Sequence, residues 1–180
     1  MILTKERYTK TVVPALREKF GYTNIMAVPK IEKVVVNIGM GHSIKDPNFI
    51  ETAEATLRKI TGQKPVKTVA KKSISNFKIR QGQAVGMVVT LRGKRMYDFL
   101  DKLINITLPR VRDFRGLSLK AIDGQGNLHI GLREHVSFPE IEADEVDRIH
   151  GLQVSVATTA STRDEGLELL RQLGFPFQTS

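Results

Sequence analysis

Cysteine and tryptophan are absent from these 180 residues, and the only aromatic side chains are eight Phe and three Tyr. The missing cysteines exclude disulfides, thiolate zinc sites, iron–sulfur ligation and thiol catalysis, and they fit a reducing, cytoplasmic compartment. No apolar run approaches the roughly 20 residues of a membrane span, and Met1 to Lys10 is too polar for a secretory signal, so no membrane partner is expected. Linkers, repeats and low-complexity segments are missing as well. A single domain over residues 1–180 is therefore expected, with 41% hydrophobic content enough to bury a core.

A more telling absence is local. Between Glu54 and Asp98 there is no Asp or Glu, while the 43 residues from Ala55 to Tyr97 carry eleven Lys and Arg. The formal charge of +9 thus divides into +11 from this window and −2 from the rest of the chain. Without carboxylates of its own, such a stretch repels itself unless it meets an external anion, and a long polyanion such as RNA is the natural partner.

Periodicity sketches the scaffold. Tyr8, Val12, Leu16 and Phe20 recur every four positions and predict a helix over 5–20, bent at Pro14. Lys30 to Ile38 alternates as a strand, with Val34, Val36 and Ile38 on one face and Lys33, Val35 and Asn37 on the other. Asp46-Pro47 caps a helix that carries Ile50, Ala53, Leu57 and Ile60 and ends at Gly62. Lys64–Ala70 and Ala84–Arg92 predict a pair of antiparallel strands, joined by a long basic loop over 71–83 of a length that is usually functional or disordered. Met96, Phe99, Leu100, Leu103 and Ile104 mark a helix expected to stop before Pro109. Strands over 128–133 and 152–159 follow, then the Thr162-x-x-Glu165 capping box of a last helix. The expected class is α+β: a two-layer sandwich, mainly antiparallel sheet, with helices on one face and the other face open.

Catalytic and cofactor motifs are poor. Gly39-Met40-Gly41 follows a strand, but Ile44 stands where a dinucleotide fingerprint wants its third Gly, and Asp46-Pro47 opens the helix where a P-loop wants Lys-Ser/Thr. The glycines instead allow a sharp turn or a close approach by another backbone. His42, His129, His135 and His150 show no helical metal spacing and no recoverable Asp-His-Ser arrangement. Glu140 to Asp147 packs five carboxylates into eight residues without the pattern of a calcium loop, leaving a solvated acidic face or a dock for a basic protein. No catalytic residue, metal, cofactor or small-molecule substrate is expected. A nucleotide-dependent enzyme and a general RNA chaperone are the rival classes.

The mode of RNA binding can be narrowed. Few aromatics, no Gly-Phe-x-Phe run and no GXXG loop disfavour base-stacking and KH-type recognition, which leaves structured RNA. The polar strand face, with Lys33, Asn37, Thr90 and Arg92, is the expected platform, because amides and hydroxyls can read a 2′-hydroxyl or base edge where cations only hold phosphates.

The sequence Val28-Pro29-Lys30-Ile31-Glu32-Lys33-Val34-Val35-Val36-Asn37, followed in order by Ile60-Thr61-Gly62-Gln63-Lys64-Pro65, Phe77-Lys78-Ile79-Arg80-Gln81-Gly82, Val89-Thr90-Leu91-Arg92-Gly93, Leu108-Pro109-Arg110-Val111-Arg112-Asp113-Phe114-Arg115-Gly116 and Phe138-Pro139-Glu140-Ile141, resembles the large-subunit ribosomal proteins of the bacterial L-five family. The resemblance runs end to end. It implies a non-catalytic protein that binds 5S ribosomal RNA, helps attach it to the large-subunit RNA at the central protuberance, and touches the P-site tRNA and a small-subunit protein of the S-thirteen family. On this resemblance the 5S contacts fall on Lys33, Asn37, Gly39, Gly41, Gln63, Lys64, Thr90 and Arg92. The tRNA-contacting loop is Lys71, Lys72, Ser73, Asn76, Phe77, Lys78 and Arg80. The intersubunit bridge falls on Arg110, Arg112 and Arg115 with Glu142, Asp144 and Asp147. Ile122, Leu128 and His150 depart from the family pattern, the last replacing an Arg.

Overall fold

The period-two alternation of the central strands has a direct structural outcome: one sheet face is greasy and covered, the other polar and bare. The computed structural model describes residues 4–41, 46–141 and 149–178. In chain order it runs through α1 (Thr4–Arg7), a π-helical turn (Tyr8–Val12), α2 (Val13–Phe20), β1 (Ile31–Gly39), α3 (Pro47–Thr61), β2 (Val66–Val69), β3 (Ala84–Leu91) and α4 (Gly93–Lys102). A second π-helical turn (Leu103–Thr107), α5 (Leu108–Arg110), β4 (Leu128–Leu132), β5 (Leu152–Thr158) and α6 (Arg163–Leu173) complete the path.

The five strands form one sheet in the order β2-β3-β1-β5-β4, with every neighbouring pair antiparallel. Val34, Val36, Ile38, Met87, Val89, Leu91, Val154 and Val156 are buried on one face and join Leu57, Ile60, Phe99, Leu100, Leu169 and Leu170 of the helices in a single core. Each such side chain contributes about 1.5–3 kcal/mol on burial. The expected two-layer α+β sandwich is therefore the observed one.

Both helix-interior prolines have the same neighbour. Pro14 and Pro109 each lie just after a π-helical turn, in which Val13 N–H donates to the Tyr8 carbonyl and Leu108 N–H to the Leu103 carbonyl. Widening the ladder by one residue accommodates a ring that would otherwise strike the carbonyl four residues back. The helix expected to stop before Pro109 consequently continues through it to Arg110. The caps behave as their sequences predict: the Asp46 carboxylate accepts from Asn48 and Phe49 N–H, Gly62 takes φ 65, and Thr162 and Glu165 form a reciprocal capping box.

Candidate nucleic-acid interface

Strand register gathers the polar residues of the open face. Val35 lies opposite Thr90 and Asn37 opposite Val88, so Asn37 and Thr90 are diagonal neighbours on the same side of the sheet. Gln63 arrives from the end of α3, and its side-chain amide donates to the Thr90 carbonyl at 3.3 Å. Lys33 shares this face, half-buried, and Lys64 is exposed beside Gln63. Three groups able both to donate and to accept thus stand together, with cations at the rim.

The basic window is not wholly without counter-charge. Arg92 lies 3.2 Å from Glu32 and Lys67 lies 3.4 Å from Glu54, both carboxylates coming from outside the window. Sequence separation hides these pairs: β1 comes beside β3 only by sheet formation, and Glu54 of α3 meets Lys67 of β2 only in the folded chain. Exposed pairs of this kind stabilise by at most about 1 kcal/mol, so a phosphate can displace them.

Gly39 and Gly41 do not serve a sharp turn: neither has positive φ, and among the described residues a Cβ at either position would meet nothing within 4 Å. At this end of the sheet Gly86, opposite Gly39, is crowded: a Cβ would fall 2.9 Å from Thr68 Oγ1 and 3.0 Å from the Ile38 carbonyl.

The basic loop is an ordered extension of the β2–β3 hairpin. Ala70 N–H donates to the Gln83 carbonyl, and Ile74 and Ile79 exchange backbone hydrogen bonds of 2.9 and 3.1 Å. The tip turns through Lys78 at φ 55. Lys71, Lys72, Asn76, Lys78 and Arg80 are exposed, as is Phe77 at 71%. Ser73 has an internal role, its hydroxyl accepting from Gln81 N–H at 2.9 Å.

Arg110, the last residue of α5, and Arg112 and Arg115 beyond it are exposed. Arg112 and Asp113, the latter at φ 52, line a cleft of about 490 Å³ with Val111, Gly131, Leu132, Arg133, Glu134 and Ser137. Glu142, Asp144 and Asp147 lie outside the described residues, as does His42. Glu140 is not part of a solvated acidic face: it accepts from the Lys102 ammonium, which also donates to the Ile60 carbonyl.

His135 and His150 are buried and stack at 3.9 Å between ring centres, and burial lowers the His135 pKa. His129 is different. It projects from the open face of β4, with Nδ1 3.0 Å from Ser155 Oγ and Nε2 3.6 Å from Asp123 Oδ2. Sequence reasoning recovered no such arrangement, because 26 residues separate His129 from Ser155 and only the β4–β5 register makes them opposite. Their outward positions on alternating strands were the one available signal.

The sequence is matched by known families and proteins. The family model described as "Ribosomal protein L5" matches residues 24–80, and the model for the C-terminus of the same ribosomal protein family matches residues 84–177. The large ribosomal subunit protein uL5 of Halothermothrix orenii is 55% identical over 177 residues, covering 98% of this chain and 99% of that protein. The uL5 protein of Desulforapulum autotrophicum is 56% identical, covering 99% of each chain. That of Clostridium perfringens is 57% identical, covering 96% of this chain and 97% of its own. With near-complete coverage at this identity, the chain belongs to the uL5 family of large ribosomal subunit proteins.

Proposed function

We propose that the protein is a structural, non-catalytic component of the large ribosomal subunit in the cytoplasm, binding 5S ribosomal RNA with the open face of its sheet. The observation that carries this reading is the convergence of Asn37, Gln63 and Thr90 on a bare sheet face rimmed by Lys33, Lys64 and Arg92. Cations supply phosphate affinity, and the amides and hydroxyl supply selectivity. Gly39 and Gly41 leave open space at the end of β1 for the RNA backbone.

The finer partners follow the family resemblance. The protein helps fasten 5S RNA to the large-subunit RNA at the central protuberance. The hairpin extension, with Lys71, Lys72, Ser73, Asn76, Phe77, Lys78 and Arg80, reaches the P-site tRNA. Arg110, Arg112 and Arg115, with Glu142, Asp144 and Asp147, meet a small-subunit protein of the S-thirteen family. The whole of residues 1–180 acts as one RNA-binding domain, supported by a sheet to which both halves of the chain contribute strands.

Filter binding to 5S RNA across a salt series tests the core reading. Neutralising about six phosphates gives a log–log slope of roughly −4 to −5. Alanine at Asn37, Gln63 or Thr90 should reduce discrimination against an unrelated duplex. A slope near zero, or equal weakening on both RNAs, refutes it.

A further inference from the structure

The residues assigned to 5S RNA sit on β1, β3 and their rims, yet the polar face continues across β5 and β4. Gln153 lies directly opposite Asn37, and Ser155 lies between Val35 on one side and His129 on the other. Gln153 and His129 are exposed, and Gly131 adds no side chain beside them.

His129 stands beside a well-braced turn. Asp123 Oδ1 accepts from Gln125 and Asn127 N–H at 2.9 and 2.8 Å, and Oδ2 accepts from the Asn127 side chain at 2.9 Å. Asn127 in turn accepts from Thr158 N–H at 2.9 Å, which fastens the turn to β5. These donors outweigh the opposing effect of burial and keep the Asp123 carboxyl below its ordinary pKa, so it faces His129 as an anion. Nδ1 of the ring is within hydrogen-bond reach of the Ser155 hydroxyl, whereas Nε2, at 3.6 Å, has Asp123 as an electrostatic neighbour rather than a hydrogen-bond partner. One ring nitrogen is hydrogen-bonded while 45% of the side chain remains exposed, which leaves the ring edge and π-face for a partner.

The constellation is not a hydrolytic triad. Ser155 lies on an interior strand paired on both sides, so the backbone N–H groups that would serve as an oxyanion hole are committed to the sheet ladder. Imidazole rings do, however, stack on unpaired bases and on ribose.

Resting on the reading of the open face as the 5S RNA platform, we propose that the RNA footprint extends from β3 and β1 across β5 and β4, with His129, held by Ser155 and facing Asp123, as a stacking contact on its β4 side. The test is 5S RNA filter binding by the full-length chain. His129→Ala should weaken binding by about tenfold, the lower part of the range for loss of one stacked base, while His129→Phe, which keeps a flat ring, stays close to the parent. Wild-type protein supplies a second measurement: carbethoxylation of His129 by diethyl pyrocarbonate, followed by mass spectrometry, should fall when 5S RNA is added. Equal loss in the Ala and Phe variants overturns stacking, and unchanged carbethoxylation overturns the wider footprint. Asn37→Ala and Thr90→Ala run alongside. If they bind normally the platform reading itself fails; if they weaken binding while His129→Ala does not, only the extension onto β4 and β5 fails.

Discussion

Replacing Gly166 with Ala sets two effects of opposite sign against each other. Gly166 lies inside α6, where helix propensity alone favours Ala by about 1 kcal/mol. In the folded protein its Cα faces Gly126, and a Cβ there would fall 2.3 Å from Gly126 Cα, 2.4 Å from its carbonyl oxygen and 2.7 Å from its carbonyl carbon. Carbon atoms pack at about 3.5–4.0 Å, so α6 would have to retreat by about 1 Å. The turn cannot give way cheaply. The Thr158 hydroxyl donates to the Gly126 carbonyl at 3.1 Å, and Gly126 itself holds φ 79.

Overpacking costs about 1–3 kcal/mol, and the upper end applies where backbone meets backbone. Subtracting the propensity gain leaves a net loss of about 2 kcal/mol, or a Tm lower by about 4–8 °C in a chain of this length. Urea denaturation followed by circular dichroism measures it. Gly124→Ala, in the same turn with open space at its Cβ, is the control and should stay within about 0.5 kcal/mol. A Gly166→Ala variant as stable as the parent, or more so, refutes the packing argument.

Three further outcomes are expected. The Tyr22 hydroxyl donates to Glu165 at 2.5 Å and is the main cause of that carboxyl's lowered pKa. Glu165 therefore contributes stability that is present above its ordinary value of 4.5 and is lost as pH falls through the lower folded value. The urea midpoints of wild type and Tyr22→Phe should converge as the medium is taken from neutral to acid, and a gap constant with pH would exclude the linkage. Thr162→Ala removes the hydroxyl that accepts from Glu165 N–H and should cost about 1 kcal/mol in the same denaturation, with no loss meaning that the cap is replaced by solvent. Lys102→Met strips Glu140 and the Ile60 carbonyl of their shared donor and should cost about 1–3 kcal/mol, part of it recovered by adding Glu140→Gln; no recovery would place the loss in packing instead.

What could be read along the chain was whatever neighbours dictate. The Asp46 and Thr162 caps, the Gly62 stop and the inward stripe of Val34, Val36 and Ile38 follow from interactions within a few residues, so spacing reveals them. The run through Pro109 was missed because one widened turn accommodates a proline that would end a regular helix. The site was legible in part: outward alternation exposed Lys33, Asn37 and Thr90, whereas the hydrogen bond from Gln63 to Thr90 depends on how α3 returns to the sheet.

By itself the sequence determined the class of fold, the polarity of the two sheet faces, the acid-free basic window and, through six ordered motifs, the family. Those are properties of periodicity, composition and residue order. Tertiary structure alone decided that Glu32 and Glu54 temper the window, that Gly86 and Gly166 have no room for a methyl, and that Asp123 and Ser155 flank His129. In each case the partners are set by strand register and helix docking, and contacts between distant segments leave no periodic trace in the chain.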